Sequence, residues 1–220
     1  MAYRLAVFDM AGTTVSNTDL VAVVLVQTLA AHGFHAGLEE ARALMGYPKP
    51  EAIRRLLGSA AEEVVVRRLH NDFVPRMIAT YRDSDEVAPM PDAEDCFAVL
   101  RARGIRVALN TAFTRDIAQV IVDRFHWLEN GLIDDLIATD EVAAGRPQPH
   151  MIRALMERQG LSDASGVIKI GDTEVDIREG RNAGAGLVVG VTTGAYSRAA
   201  LQAHAPDHII DSLSELMPLL

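Results

Sequence analysis

Asp9 closes an apolar run, Leu5-Ala6-Val7-Phe8, and is followed by Met10-Ala11-Gly12-Thr13-Thr14. The run reads as a buried strand, and the Gly after the acid turns the chain away from its tip. In an open α/β sheet the carboxyl ends of the strands face the ligand crevice. A carboxylate there serves as a nucleophile, a metal ligand or both. Two residues on stands Ala11 rather than a second acid. The chemistry at this tip therefore uses one carboxylate, not two.

Three more strand-like runs lead to polar groups. Ile105–Leu109 leads to Asn110-Thr111, and Leu136–Ala138 to Gly145-Arg146-Pro147-Gln148-Pro149, which opens a helix. Val167–Ile170 leads to Gly171-Asp172-Thr173-Glu174-Val175-Asp176. A hydroxyl, a fixed cation and several carboxylates at one sheet edge suit phosphoryl chemistry. Mg²⁺ takes a few carboxylates and keeps water and substrate oxygens. Asp9 and Asp172 are its expected ligands, with Asp176 as an outer partner and the Ala11 carbonyl as a further ligand. The ion lets an anionic nucleophile approach an anionic phosphorus group. Thr111, nearby backbone N–H groups such as that of Ala112, and Arg146 are expected to bind the phosphoryl oxygens. Asn110 is an alternative to Thr111. Asp9 then attacks, an aspartyl-phosphate forms and water hydrolyses it. Taken singly, each residue has a plainer reading: a turn or helix-cap acid, an N-cap Thr, a surface Arg.

These residues need a scaffold of alternating strands and helices. Leu187–Val191 and a short His208–Ile210 add two strands. Helical patterns cover Asp92–Arg103, Arg115–Arg124, His150–Gln159 and Val175–Ala183. The expectation is an α/β fold, a doubly wound, Rossmann-like parallel sheet. Between the first two strands lie about 70 residues with no strand signal, far more than one crossover needs. They read as helices over Thr18–Ala31, Leu38–Met45, Pro50–Leu57 and Ala60–Arg82, the last with a kink at Pro75. This predicts a helical cap over 16–87, inserted into a core made of 1–15 and 88–220. Val15–Thr18 leads out, and Ala88-Pro89-Met90-Pro91 returns as a stiff hinge.

The 220 residues are 49 % apolar, enough for a sizeable core, and carry a net charge of −9. That charge argues against nucleic acid or an anionic membrane as partner. A site for an anionic ligand must be built locally from a metal, a cation and helix N-termini. Cys96 is the only cysteine, which suits a reducing cytoplasm. No apolar run reaches the length of a membrane span, and no signal-peptide pattern opens the chain. His32 and His35 flank Gly33 without further soft ligands, which argues against a metal site there.

The run Asp9-x-x-Gly12-Thr13-Thr14, then Thr111, then a cation before Pro147-x-Pro149, then Gly171-Asp172-x-x-x-Asp176, resembles the four motifs of the haloacid dehalogenase superfamily. The resemblance spans the chain, in order, and the predicted cap falls where that superfamily inserts one. Most of its phosphatases carry an acid two residues after the nucleophile and a Lys in the third motif. Ala11 and Arg146 depart from that pattern together, and so resemble the phosphonoacetaldehyde hydrolase (phosphonatase) subgroup. Glu39-Glu40-Ala41-Arg42, Met45-Gly46-x-x-Lys49, Thr114-Arg115 and Glu179-Gly180-Arg181-Asn182-Ala183-Gly184 look like the same subgroup.

The resemblance implies a hydrolase with bound Mg²⁺, acting on a small anionic phosphonate or phosphate metabolite as a cytoplasmic monomer or homodimer. It places Met45 and Gly46 at the substrate and makes Lys49 the cap lysine that forms a Schiff base with an aldehyde. An iminium accepts the electrons of a breaking C–P bond, so an acid at position 11 is less needed. An alkoxide leaving group would want one, worth about 10²–10⁴-fold. Ala52 stands where the subgroup has a His, Phe113 where it has a Tyr, and the cap is shorter. Two alternatives therefore stay open: a phosphomonoesterase of phosphoglycolate phosphatase type, and a catalytically impaired binding protein.

Overall fold

The computed structural model describes residues 3–16 and 19–220. Thr18, the expected first residue of the opening cap helix, and the end of the outward link lie outside them.

Six strands form one parallel sheet in the order β3-β2-β1-β4-β5-β6. They are β1 (Leu5–Phe8), β2 (Arg106–Thr111), β3 (Asp135–Ala138), β4 (Val167–Gly171), β5 (Leu187–Val191) and β6 (His208–Ile210). This is the doubly wound order. The chain leaves β1 toward β2 on one side and later returns to β4 on the other, so a crevice opens beyond the tips of β1 and β4. Asp9 and Asp172 occupy those tips. The Asp9 N–H donates to the Ile170 carbonyl at 2.9 Å, which fixes their register.

Strand β1 is fully buried on both faces. Ala6 and Phe8 join one apolar cluster, while Leu5 and Val7 join another with Met151, Ile152 and Leu155. That alternation is the period of a strand covered by helices on both sides. Phe8 meets Phe97 edge-on at 5.3 Å between ring centroids, and Phe97 meets Trp127 at 5.4 Å. Phe97 lies on α5 (Ala93–Ala102), which thereby locks to the central strand. The remaining core helices are α6 (Arg115–Arg124), α7 (His150–Arg158), α8 (Glu174–Ala183) and a short α9 (Arg198–Gln202). The last of these had no clear sequence signal.

Between β1 and α5 stand α1 (Leu20–Ala31), α2 (Leu38–Arg42), α3 (Lys49–Leu57) and α4 (Glu63–Asp83). Helix α4 continues through Pro75 as one element. Helix α2 stops three residues short of the expected Met45, because Leu44 and Met45 tighten into i→i−3 turns before Gly46. The two connections run side by side. Met90 N–H donates to the Thr14 carbonyl and Ser16 N–H to the Ala88 carbonyl, each at 2.9 Å, and Val15 bridges Pro89.

The loop before α3 seats on the core. Gly46 has φ +84°, and a Cβ there would come within 2.7 Å of Val175 Cγ2 and also strike Thr173 Oγ1. Only glycine permits both the backbone and the close approach. Gly46→Ala is expected to keep the core fold while lifting this loop. Strain of about 1–3 kcal/mol should speed amide exchange in Lys49–Leu57 roughly fivefold or more, with unchanged exchange in β1 and β4.

Candidate active site

The sheet register brings the strand-end residues together. Asn110 and Thr111 lie within β2, paired with Ile137 and Ala138, rather than beyond the strand as the sequence suggested. Apolar neighbours alone do not mark where a strand ends, because a buried polar residue with partners continues it. Asp9, Ala11, Met45, Gly46, Lys49, Thr111, Ala112 and Asp172 line one narrow cleft, together with Val21, Phe113 and Thr173. Arg146 and Asp176 do not line it. They stand behind Asp9 in a fully buried ionic cluster.

Arg146 follows β3 and spends its whole guanidinium on that cluster. Nη1 lies 2.5 Å from Asp9 Oδ1 and 2.9 Å from Asp176 Oδ1, and Nε lies 3.1 Å from Glu179 Oε2. Nη2 donates to the Asn110 carbonyl and side-chain oxygens. Lys169 lies in β4, completely buried. Its Nζ donates to Asn110 Oδ1 at 2.8 Å and stands 2.9 Å from Asp176 Oδ1 and 3.5 Å from Glu179 Oε2. The Asn110 amide donates to both Glu179 oxygens.

The sequence reading gave Lys169 no role, took Glu179 only as part of a family pattern, and kept Asn110 as a substitute for Thr111. Signals for the first two were present. Lys169 interrupts the apolar run Val167-Ile168-Lys169-Ile170, and Glu179 lies three residues after Asp176, on the same helix face.

Asp176 also caps α8, since its carboxylate accepts from Thr173 N–H and Oγ1. The cap reading and the site reading of this residue are both satisfied. Asp172 accepts from Ala195 N–H at 2.7 Å and from Thr13 Oγ1 at 3.2 Å. A Cβ on Gly12, at φ +89°, would fall 2.8 Å from Asp172 Oδ2, so the turn after Asp9 presses directly on this carboxylate.

Burial pushes the Asp9 carboxyl above its ordinary range, although Arg146 pulls it down. Asp172 is raised well above, first by burial and then by the charges of Asp9 and Asp176. Burial also acts to raise Asp176, but Arg146 and Lys169 outweigh it and hold it below the usual value. Four buried carboxylates (Asp9, Asp172, Asp176, Glu179) face two cations in this cluster, Arg146 and Lys169. Burial, together with that formal excess of carboxylates, is what raises Asp172.

A divalent cation fits that deficit. One oxygen from each of Asp9, Asp172 and Asp176 lies within 4.8 Å of the others. Among the described residues, Asp176 Oδ1 receives no aligned hydrogen bond, despite its two nearby cations. An all-oxygen donor set of this kind suits a hard ion.

Lys49 is the first residue of α3, between Pro48 and Pro50. Two prolines flanking a helix start cost little, since the first-turn N–H groups have no helical partner. Its side chain is buried against the core. Nζ donates to the Tyr47 carbonyl at 3.3 Å and stands 5.5 Å from the Phe113 ring centroid. Burial lowers its pKa to about 8, opposed by Asp9 and assisted by Arg146. Thr111 Oγ1 accepts from Phe113 N–H at 3.2 Å, bending the chain so that Ala112 and Phe113 face the cleft. Tyr47 holds the loop to the core through a hydrogen bond to Glu174.

Fold and site together define a doubly wound α/β enzyme with an acidic cleft at its topological switch point, covered by a helical insertion. The chain belongs to the haloacid dehalogenase-like hydrolases, whose family model matches residues 3–184. It is similar to phosphonoacetaldehyde hydrolase from Paraburkholderia xenovorans, 30 % identical over 99 % of this chain and 94 % of that one. Phosphonoacetaldehyde hydrolase from Nitratidesulfovibrio vulgaris is 33 % identical over 87 % of this chain and 72 % of that one. The fold matches the crystal structure of a phosphonoacetaldehyde hydrolase-like protein from Oleispira antarctica with a TM-score of 0.87, at 24 % identity over 100 % of this chain and 91 % of that one. Among the described residues, no helix is long and apolar enough to cross a membrane.

Lys169→Met would leave Asp176 and Glu179 facing one cation fewer in a buried site. We expect it to lower the free energy of unfolding in urea by about 3–5 kcal/mol. Loss of Glu179 together with Lys169 (Glu179→Gln in the Lys169→Met background) should cost less than the sum of the two single changes.

Proposed function

We propose that the chain hydrolyses the C–P bond of a small phosphonate aldehyde of the phosphonoacetaldehyde type, with a divalent cation, Mg²⁺ by its oxygen donors, held by Asp9, Asp172 and Asp176 and by the Ala11 carbonyl. Residues 16–87 act as a cap over a core of 1–15 and 88–220. The observation that carries this reading is Lys49: a buried amine with a lowered pKa shares one cleft with Asp9, while position 11 offers only a methyl group.

The neutral Lys49 amine attacks the aldehyde carbon, and loss of water with uptake of one proton leaves an iminium. Asp9, oriented by Arg146 through one of its oxygens, attacks phosphorus with the other. The C–P bond breaks, its electron pair passes to the adjacent carbon, and the iminium becomes an enamine. An aspartyl-phosphate remains and water hydrolyses it to phosphate. The enamine takes a proton on carbon and is hydrolysed to the free aldehyde, restoring Lys49. Thr111 and the N–H groups around Ala112 hold the phosphoryl oxygens, and Met45 and Gly46 close the cleft above the substrate. The cation supplies charge neutralisation between the Asp9 carboxylate and the phosphoryl group.

The phosphomonoesterase reading is favoured by Ala52 and Phe113, two buried residues that offer no proton donor beside Lys49. The two readings part on covalent trapping. Borohydride reduction with phosphonoacetaldehyde is expected to leave a stable adduct on Lys49, found by peptide mass spectrometry. No adduct, with full activity in Lys49→Ala, would sink the C–P reading. Asp9→Asn is expected to abolish turnover of either substrate class.

The lysine loses its proton as pH rises through about 8. The kcat/KM for the aldehyde should therefore climb with pH to a plateau above that value. Phosphate-ester turnover should lack this limb.

A further inference from the structure

Lys49 Nζ donates to the Tyr47 carbonyl at 3.3 Å, and among the described residues this is the amine's only hydrogen-bond acceptor. A lysine side chain has many rotamers, and fixing one costs up to about 2 kcal/mol. A single fixed acceptor therefore decides where the amine stands. The orientation of that carbonyl depends on how residue 47 is held.

Tyr47 is held from three sides. Its hydroxyl donates to Glu174, the first residue of α8, and Glu174 Oε2 lies 3.3 Å from His204 Nε2, just beyond α9. The Arg55 guanidinium covers the Tyr47 ring at 4.2 Å from its centroid, and Arg55 Nε donates to Glu51 at 2.9 Å. Pro48 follows with φ −52°, which restricts the backbone of Tyr47 as well. A side chain so anchored, on so stiff a backbone, fixes its own carbonyl. Burial and then the Glu174 carboxylate hold the Tyr47 phenol above its ordinary range, so it remains a donor.

We propose that Tyr47 is a positioning residue for Lys49: tied through its hydroxyl to Glu174, it presents the backbone carbonyl that holds the amine at the cleft. The proposal rests on the reading of Lys49 as the reacting amine. A carbonyl accepts from the ammonium and from the neutral amine alike, so the hold survives loss of the proton. The link also connects the site to α8 and to the chain beyond α9, neither of which supplies a group to the amine itself.

Chemical labelling of Lys49 tests this without turnover. The protein, with Mg²⁺ and no substrate, is treated with trace acetic anhydride across a pH series, and peptide mass spectrometry gives the midpoint of Lys49 acetylation. Access alone changes the rate and leaves the midpoint where it is. The charged groups that act on Lys49 are Asp9 and Arg146 from the core, and Lys49 in turn acts on His70 of α4; the variants below alter none of them. The unaltered protein should give a midpoint of about 8. Tyr47→Phe keeps the ring under Arg55 and loses only the hydroxyl. Its midpoint should rise by about half a unit or more toward the ordinary lysine value, which leaves roughly threefold less neutral amine at pH 7. Glu174→Ala should match it, while Glu174→Gln, which still accepts from the hydroxyl, should keep the midpoint of the unaltered protein. A midpoint unmoved in Tyr47→Phe, or raised as far in Glu174→Gln, would overturn the proposal, whatever the melting temperatures. Midpoints that move as expected in a protein that forms no borohydride adduct with phosphonoacetaldehyde would instead overturn the proposed reaction and leave Tyr47 as the residue that seats the amine.

Discussion

Arg146 and Lys169 are buried among four carboxylates at the point where the sheet turns in both directions. Charges so placed lose their hydration and are tolerable only when each finds partners of good geometry. Here the partners come from different parts of the chain. Asp9 follows β1, Asn110 lies in β2, Arg146 follows β3, Lys169 is in β4, and Asp176 and Glu179 belong to α8. Satisfying one residue therefore fixes the others. The cluster sets the register at the strand tips, docks α8 against β4 and pins one oxygen of Asp9. The carboxylates still exceed the cations, and the excess is concentrated at the cleft. The same constraint that organises the core thus gathers three carboxylates of the kind that could hold a divalent cation.

The helical insertion adds what the core cannot supply. The core wall of the cleft offers carboxylates, a hydroxyl and backbone N–H groups. The amine comes from α3, and its lowered pKa depends on that helix sitting close. Burial is the largest cause of the shift, so a loop that stood away from the core would return Lys49 to ordinary solvated behaviour. Close seating depends in turn on small residues. Gly46 passes Thr173 and Val175, and Gly145 leaves room for Pro48 and Thr139. Packing of α3 and its preceding loop on the core therefore sets the environment of Lys49 as well as the fold.

Ala11 gains a physical meaning in this setting. An acid there would add a fifth carboxyl group to a region that already carries excess negative charge. The proposed reaction, with an enamine as leaving group, would not call for it. The methyl group instead leaves space beside Asp9, in a cleft whose other apolar walls are Val21, Met45, Ala112 and Phe113.

Much of this was written in the sequence. Alternation of short apolar runs with helical patterns gave the sheet and its helices. The polar groups at the run ends put Asp9, Thr111 and Asp172 at one edge of the sheet, because in a parallel sheet all strand ends of one kind share an edge, and the three line one cleft. The long strandless stretch after β1 gave the helical insertion. Arg146 was visible as a cation near the edge and expected at the phosphoryl oxygens, but the structure turns its guanidinium into the buried cluster behind Asp9. Lys169 and Glu179 were legible only as oddities, a charge in an apolar strand and an acid in a pattern. What made them partners is distance across β2, β4 and α8, which local spacing does not encode. The same holds for Tyr81. In sequence it is an aromatic near a helix end, and only the packing of α4 on α6 sets it against Phe113, its hydroxyl buried without a partner among the described residues. Local pattern determines which elements form and which face each side chain takes, since both follow from periods of about 2 and 3.6 residues. Which buried charges meet, which amine is desolvated and which donor is left free depend on contacts between distant segments, and the tertiary structure alone decided those.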